Sequence, residues 1–151
     1  MTSYLYRSAA TWAGIGLAGG LFYRTLTHSR DFDGRTQLAV VHTHTLVLGM
    51  VTLLAVLALH LVLALDADRR GRWALHTWNA GLAVTSGTML VKGTLQVTGR
   101  AYDLPALAGV AGLGHIALTA AVILLFLTIG ARLRARREDA AQPSAERVTV
   151  A

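Results

Sequence analysis

Cysteine is absent from the chain. That excludes a disulfide framework, a thiolate metal centre and a covalently attached c-type heme. Any metal or cofactor must be held by His, Met, carboxylate or backbone groups. Acidic residues are scarce: eight Asp and Glu stand against fourteen Lys and Arg, and charged residues make up only 15% of the 151 residues. A soluble domain usually carries roughly a quarter. No carboxylate lies inside any of the long apolar runs, so proton-relay or carboxylate-driven transport chemistry is not expected. Nucleophile–base triads, Walker sequences and dinucleotide-binding fingerprints are missing too.

What is present is apolar: 54% of residues are hydrophobic and the mean hydropathy is +0.49. The isoelectric point near 10.8 would suit a nucleic-acid binder, but the placement of the charges excludes that partner. Basic residues collect in short connections and in the C-terminal stretch, between long runs without charge. This is the topology signal of a membrane protein, with the lipid bilayer as its partner.

The charges divide the sequence into four apolar segments, between Arg7 and Arg24, Arg35 and Asp66, Arg72 and Arg100, and Asp103 and Arg132. Only Lys92 interrupts the third. A bilayer core needs about 20 helical residues, and all four segments qualify, the first once Tyr4, Leu5 and Tyr6 are counted. Strands are excluded as spanning elements, because an open sheet would leave unpaired backbone groups in lipid. The expected fold is an all-α integral membrane four-helix bundle, antiparallel and up-down-up-down. It occupies residues 1–137, with helices at about 4–26, 37–65, 73–98 and 105–133. Pro105 suits the first turn of the last helix. Residues 138–151 are polar, contain Pro143 and are expected to be a disordered tail.

The first segment reads as a retained span rather than a cleaved signal. It contains Trp12, has a Gly16/Gly20 packing pair, and ends in Leu21-Phe22-Tyr23-Arg24 without a small-residue cleavage site. Arg69, Arg70 and Arg72 mark one connection, and Arg132, Arg134, Arg136 and Arg137 mark the tail. The positive-inside rule places both on the cytoplasmic side, and with four spans both termini are cytoplasmic.

Histidines carry the chemistry. Ionisable groups inside a span are costly and point to function. His42, His44 and His60 fall on the second helix, His76 on the third and His115 on the fourth, while His28 lies in a connection. At 1.5 Å per residue His42 is ~8 Å and His115 ~15 Å from the outer ends of their helices. Together with Lys92 and Gln96 they form an outer cluster. His60 and His76 form an inner pair, read mainly as structural.

Small and polar residues make three helical stripes: His42, Thr45, Gly49 and Thr52; Thr85, Thr88, Lys92 and Gln96; Ala108, Gly112, His115 and Thr119. Such stripes face other helices. Their convergence would set His42 and His115 across a bundle core from each other. Heme b suits that arrangement. Each imidazole supplies an axial nitrogen, Gly49, Gly109, Gly112 and Gly114 leave room for the macrocycle, and Lys92, Arg100 or Arg35 could meet the propionates. Residues two apart on a helix point about 200° apart, so His42 and His44 cannot serve one ion from one face; His44 is the substitute for His42. Two histidine ligands favour electron transfer, with a membrane redox partner; one histidine and an open position favour sensing or handling of a diatomic gas. The alternatives are a copper or zinc site on His42, His44 and His115, or a cofactor-free scaffold subunit. A chain this small, with glycine-lined faces, suits a homo-oligomer. Whether it is an enzyme is left open.

The segments VVHTHTLVLGM (41–51), VKGTLQVTG (91–99) and LAGVAGLGHI (107–116), with FYR at 22–24 and Thr36-Gln37, resemble a small family of four-helix bacterial membrane proteins of unknown function. The likeness spans nearly the whole chain and implies the plasma membrane of a bacterial cell. That family carries Arg where this chain has Lys92, and His60 and His76 are outside its pattern. The HTH-x-x-x-LG segment alone also resembles helices of NnrS-type proteins and of the catalytic subunit of heme-copper oxidases, which implies His42 or His44, with His115, as ligands.

Overall fold

The computed structural model describes residues 1–141. Four long helices dominate it: α1 (Thr2–Ser29), α2 (Leu38–Leu63), α3 (Arg69–Val97) and α4 (Pro105–Ala141). No strand occurs among the described residues. α4 extends through 138–141, the start of the segment expected to be disordered; 142–151 lie outside the described residues. Alanine, arginine and glutamate at 131–141 are strong helix formers, which explains the extension. α2 and α4 are long and apolar enough to cross a membrane. α1 and α3 have comparable lengths of 28 and 29 residues but more threonine, and α3 also carries Asn79 and Gln96.

The helix ends explain how the elements meet. The Asp68 carboxylate accepts from Arg70 N at 3.0 Å and caps α3. α2 stops at Ala64, which takes a left-handed conformation with φ +48°. The orphan Leu63 carbonyl there accepts from Arg132 Nε of α4 at 2.9 Å. At the opposite end of α2, the Thr36 hydroxyl accepts from Leu38 N at 3.1 Å and donates to the Gly93 carbonyl of α3 at 2.9 Å. Gln96 Oε1 accepts from Gln37 N at 2.8 Å. The beginning of α1, the 64–68 turn and the second half of α4 thus share one end, here called the turn end. The 30–37 and 98–104 connections lie at the other, the loop end.

Apolar packing is uneven between these ends. A main core near the turn end draws on all four helices: Leu5, Trp12, Leu53, Val56, Leu75, Trp78, Leu82 and Ala121 are buried in it. A smaller cluster at the loop end consists of Leu38, Val41 and Val97, with Tyr23, Leu26, Phe32 and Met89 packed around it. α4 contributes nothing to this second cluster. Its buried residues begin at Gly114 and recur every seventh position, at Ala121 and Thr128.

Midway along α2 the backbone widens. From Thr45 to Val51 the helix is wound with five-residue hydrogen bonds. Thr52 N–H reaches back to the Val47 carbonyl, to which its hydroxyl also donates at 2.9 Å. The Leu48 carbonyl, which Thr52 would take in a regular α-helix, instead accepts from the Trp78 indole at 2.9 Å. Wide turns of this kind are frequent at functional sites. Replacing Trp78 with phenylalanine is therefore expected to leave a buried carbonyl unpaired and cost about 1–3 kcal/mol. A lowered thermal transition of the detergent-solubilised protein would show it, with exposed Trp73→Phe as the neutral comparison. Equal transitions for the two variants would contradict this role for Trp78.

Candidate functional site

The wide segment of α2 begins directly after His44, and the three outer histidines diverge around it. His42 turns towards α1: a Cβ built on Gly20 would lie 3.5 Å from His42 Cβ. Its Nδ1 is buried without a hydrogen-bond partner, and its Nε2 is 3.4 Å from the Thr43 hydroxyl. The rest of the stripe follows it. Gly16 abuts Leu46 and Thr45, and Gly49 fits against the Trp12 side chain so closely that no Cβ could be added. The α2 stripe thus faces α1 rather than a common core with α4, and the space at Gly49 is filled by Trp12, not left for a macrocycle.

His44, half-buried, points the other way and lies within electrostatic reach of His115. Between Leu38 and Val51, no α2 Cα comes within 8 Å of one in α4. The two helices stand apart there, and the gap between them has His44 on one side and His115 on the other. The His115 side chain is exposed, and its ring is oriented by Nδ1–H donating to the Ala111 carbonyl at 2.8 Å. That bond fixes the tautomer and leaves the Nε2 lone pair free, as metal-ligating histidines require. A Cβ on Gly109 or Gly112 would meet nothing within 4 Å.

Two side chains on α3 that sequence reasoning did not single out as a pair lie nearby. Gly93 abuts Leu38 and Trp78 reaches Leu48, so Thr85 and Ser86, between them on α3, stand at the height of His44. Thr85 also abuts Gly114, the neighbour of His115. Ser86 shares the α2-facing side of α3 with Leu82 and Gly93. Both hydroxyls are buried and lack hydrogen-bond partners. Unsatisfied buried hydroxyls in a native fold call for a ligand or a water.

Lys92 does not reach into this space. Its Nζ is 3.1 Å from Asp103 Oδ1 and 5.7 Å from the centroid of the Tyr102 ring, which ties it to the 98–104 connection. No three His, Asp or Glu side chains among the described residues gather closely enough to hold one metal ion.

The inner histidines have separate partners. His60 is buried, with Nδ1 3.7 Å from Asp66 Oδ1. His76 Nδ1 hydrogen-bonds the Tyr4 hydroxyl at 3.2 Å. That hydroxyl also accepts from Asn79 Nδ2 at 3.3 Å, and Asn79 Oδ1 accepts from Trp12 Nε1 at 2.7 Å. The one signal for this network in the sequence was a lone asparagine within an apolar run. His28 is exposed beside a 590 Å³ surface cavity formed with Arg24, Asp31 and Asp33.

No curated protein and no solved structure matches the chain. A family match, however, runs over residues 1–132 and takes in α1, α2, α3 and most of α4. The chain belongs to this family, described as protein of unknown function DUF2871.

Proposed function

We propose that this chain is a four-span membrane protein that carries one heme b between α2 and α4, with His44 and His115 as its ligands, and that it works in electron transfer. The observation that carries the reading is the orientation of His115, whose Nδ1–H donates to Ala111 and whose Nε2 is free, on a stretch of α4 that stands apart from α2 and has Gly109 and Gly112 open beside it. His44 is the α2 imidazole within electrostatic reach of it, and the unpartnered hydroxyl of Ser86 on the α2-facing side of α3 supports a polar ligand or water nearby. Two imidazoles suffice to ligate a heme iron, whereas a structural zinc site takes four ligands. His42, the nearest third histidine in the sequence, turns to α1, which favours heme over copper or zinc. Bound heme supplies a reversible one-electron carrier. The chain's own part would be to offer His44 and His115 from two helices, with the His115 tautomer set through Ala111 and small residues beside it.

α2 and α4 have the length and apolarity for spanning. For α1 and α3, spanning is supported by where their polar side chains are used: Trp12 with Asn79, Gln96 with the start of α2, and Lys92 with Asp103. Such internal pairing is how polar groups are accommodated in lipid. The contacts that gather the start of α1, the 64–68 turn and Arg132 at one end support an up-down-up-down course. The arginines of that end support its cytoplasmic placement.

The test is an absorption spectrum of the detergent-purified protein, oxidised and dithionite-reduced, with iron determined on the same sample. A Soret band, sharpened α and β bands on reduction, and about one iron per chain are expected. A colourless protein from heme-sufficient cells would overturn the reading.

A further inference from the structure

A second cavity lies at the turn end, away from His44 and His115. It has a volume of about 280 Å³ and is bounded by Tyr4, Asp66, Arg72, Leu75 and His76. We infer that it is a binding site for the headgroup of a quinone. The inference extends the heme reading, because a quinone is a lipid-soluble redox molecule, but it stands on its own residues.

The polar groups around the cavity select the ligand. Arg72 is a permanent donor with no ion pair among the described residues. Asp66 is an acceptor. Across from them, His76 and the Tyr4 hydroxyl form a pair that can either donate or accept, according to where the shared proton sits. Met1 also borders the cavity, and its ammonium lies 3.7 Å from Asp66 Oδ2, so cationic donors outnumber the one carboxylate and suit the carbonyl oxygens of a ligand. Leu75 supplies an apolar wall, and the Tyr4 and His76 rings, with centroids 5.0 Å apart, supply flat ones. A quinone headgroup is flat and apolar on its faces and has oxygens at opposite edges. Those oxygens are acceptors when oxidised and donors when reduced.

A buried group points to the same place. His60 is about nine-tenths buried, and its Nδ1 has no hydrogen-bond partner. The nearest charge is Asp66, at 3.7 Å, too far for a hydrogen bond. The imidazole is thus aimed at the carboxylate that borders the cavity, and both retain hydrogen-bonding capacity. His76 and Arg72 also border an adjoining groove of about 320 Å³ with Arg69 and Trp73. Trp73 is 60% exposed, as expected of a residue at the lipid interface, so the groove gives the headgroup a route from the bilayer.

The full chain in detergent is titrated with a benzoquinone bearing one isoprenoid unit, following tryptophan fluorescence. Saturable quenching is expected. Tyr4→Phe, which removes only a hydroxyl from a partly exposed ring, and Arg72→Gln should each weaken it about tenfold. Arg100→Gln, at the loop end, should leave it unchanged. Absence of saturable quenching, or wild-type affinity in both Tyr4→Phe and Arg72→Gln, overturns the inference. So does displacement of the quinone by phosphatidylglycerol but not by phosphatidylcholine, which would assign the cavity to an anionic lipid headgroup. The Soret spectrum of the same samples is read separately: a colourless protein that still binds the quinone overturns the heme reading alone.

Discussion

His115→Ala is expected to lose essentially all of its Soret absorbance, and His44→Ala to do the same, while His42→Ala keeps its colour. The three histidines are close in helical position, and only geometry separates them. His115 presents a free Nε2 because its other ring nitrogen donates to Ala111. His44 is the α2 imidazole on the side of α4, whereas His42 sits against Gly20 of α1. Removing one of two axial imidazoles from a non-covalently held heme takes away a main attachment to the protein, so heme content after purification should fall at least about tenfold. Because His115 is exposed and His44 only half-buried, truncation should not prevent folding; unchanged far-ultraviolet circular dichroism checks this. If His42→Ala were the colourless variant and His44→Ala the coloured one, the pairing derived from the α2 face would be wrong.

A large loss of stability is expected from a single methyl group at Gly93. A Cβ there would collide with Leu38 N and lie 2.7 Å from Leu38 Cα and Cβ. These are atoms at the start of a helix, not the flexible end of a side chain, so α2 and α3 must separate. Separation also strains the Thr36 hydroxyl bond to the Gly93 carbonyl and the bond from Gln37 N to Gln96. Overpacking costs typically 1–3 kcal/mol, and strained buried hydrogen bonds add to it. Gly93→Ala should therefore destabilise by about 4 kcal/mol, and the thermal midpoint of the detergent-solubilised protein should fall by roughly 10 °C. Gly14→Ala is the counterpart. No neighbour lies within 4 Å of its added Cβ, and helix propensity alone should make it neutral or slightly stabilising. Similar midpoints for the two variants would show that the Gly93 contact does not limit stability.

The four helices were legible because charge is so sparse that its few positions outline them. The neighbours of each helix were not. A stripe such as His42, Thr45 and Gly49 establishes which residues share a face, but small residues fit a close-packed helix as well as a cofactor. Here the partner was Trp12, which in the sequence marks only a retained first span. The change of winding after His44 was equally hidden, since nothing in Thr45–Val51 departs from an ordinary apolar helix in composition. Lys92 was read by its depth in the third segment, yet its long side chain reaches the following connection and pairs with Asp103. Tyr4 is far in the chain from His76 and Asn79, and only the meeting of α1 with α3 brings it to them.

The uneven burial of α4 has a mechanical meaning. From Pro105 to Leu113 none of its residues is buried, and anchoring begins at Gly114, immediately before His115. The first part of α4, about 13 Å at 1.5 Å per residue, is fastened to α3 through the 98–104 connection and the Lys92–Asp103 pair rather than by buried side chains. His115 sits where burial begins, so its ring is placed by helix packing, whereas the surface beside it is placed by a polar strut.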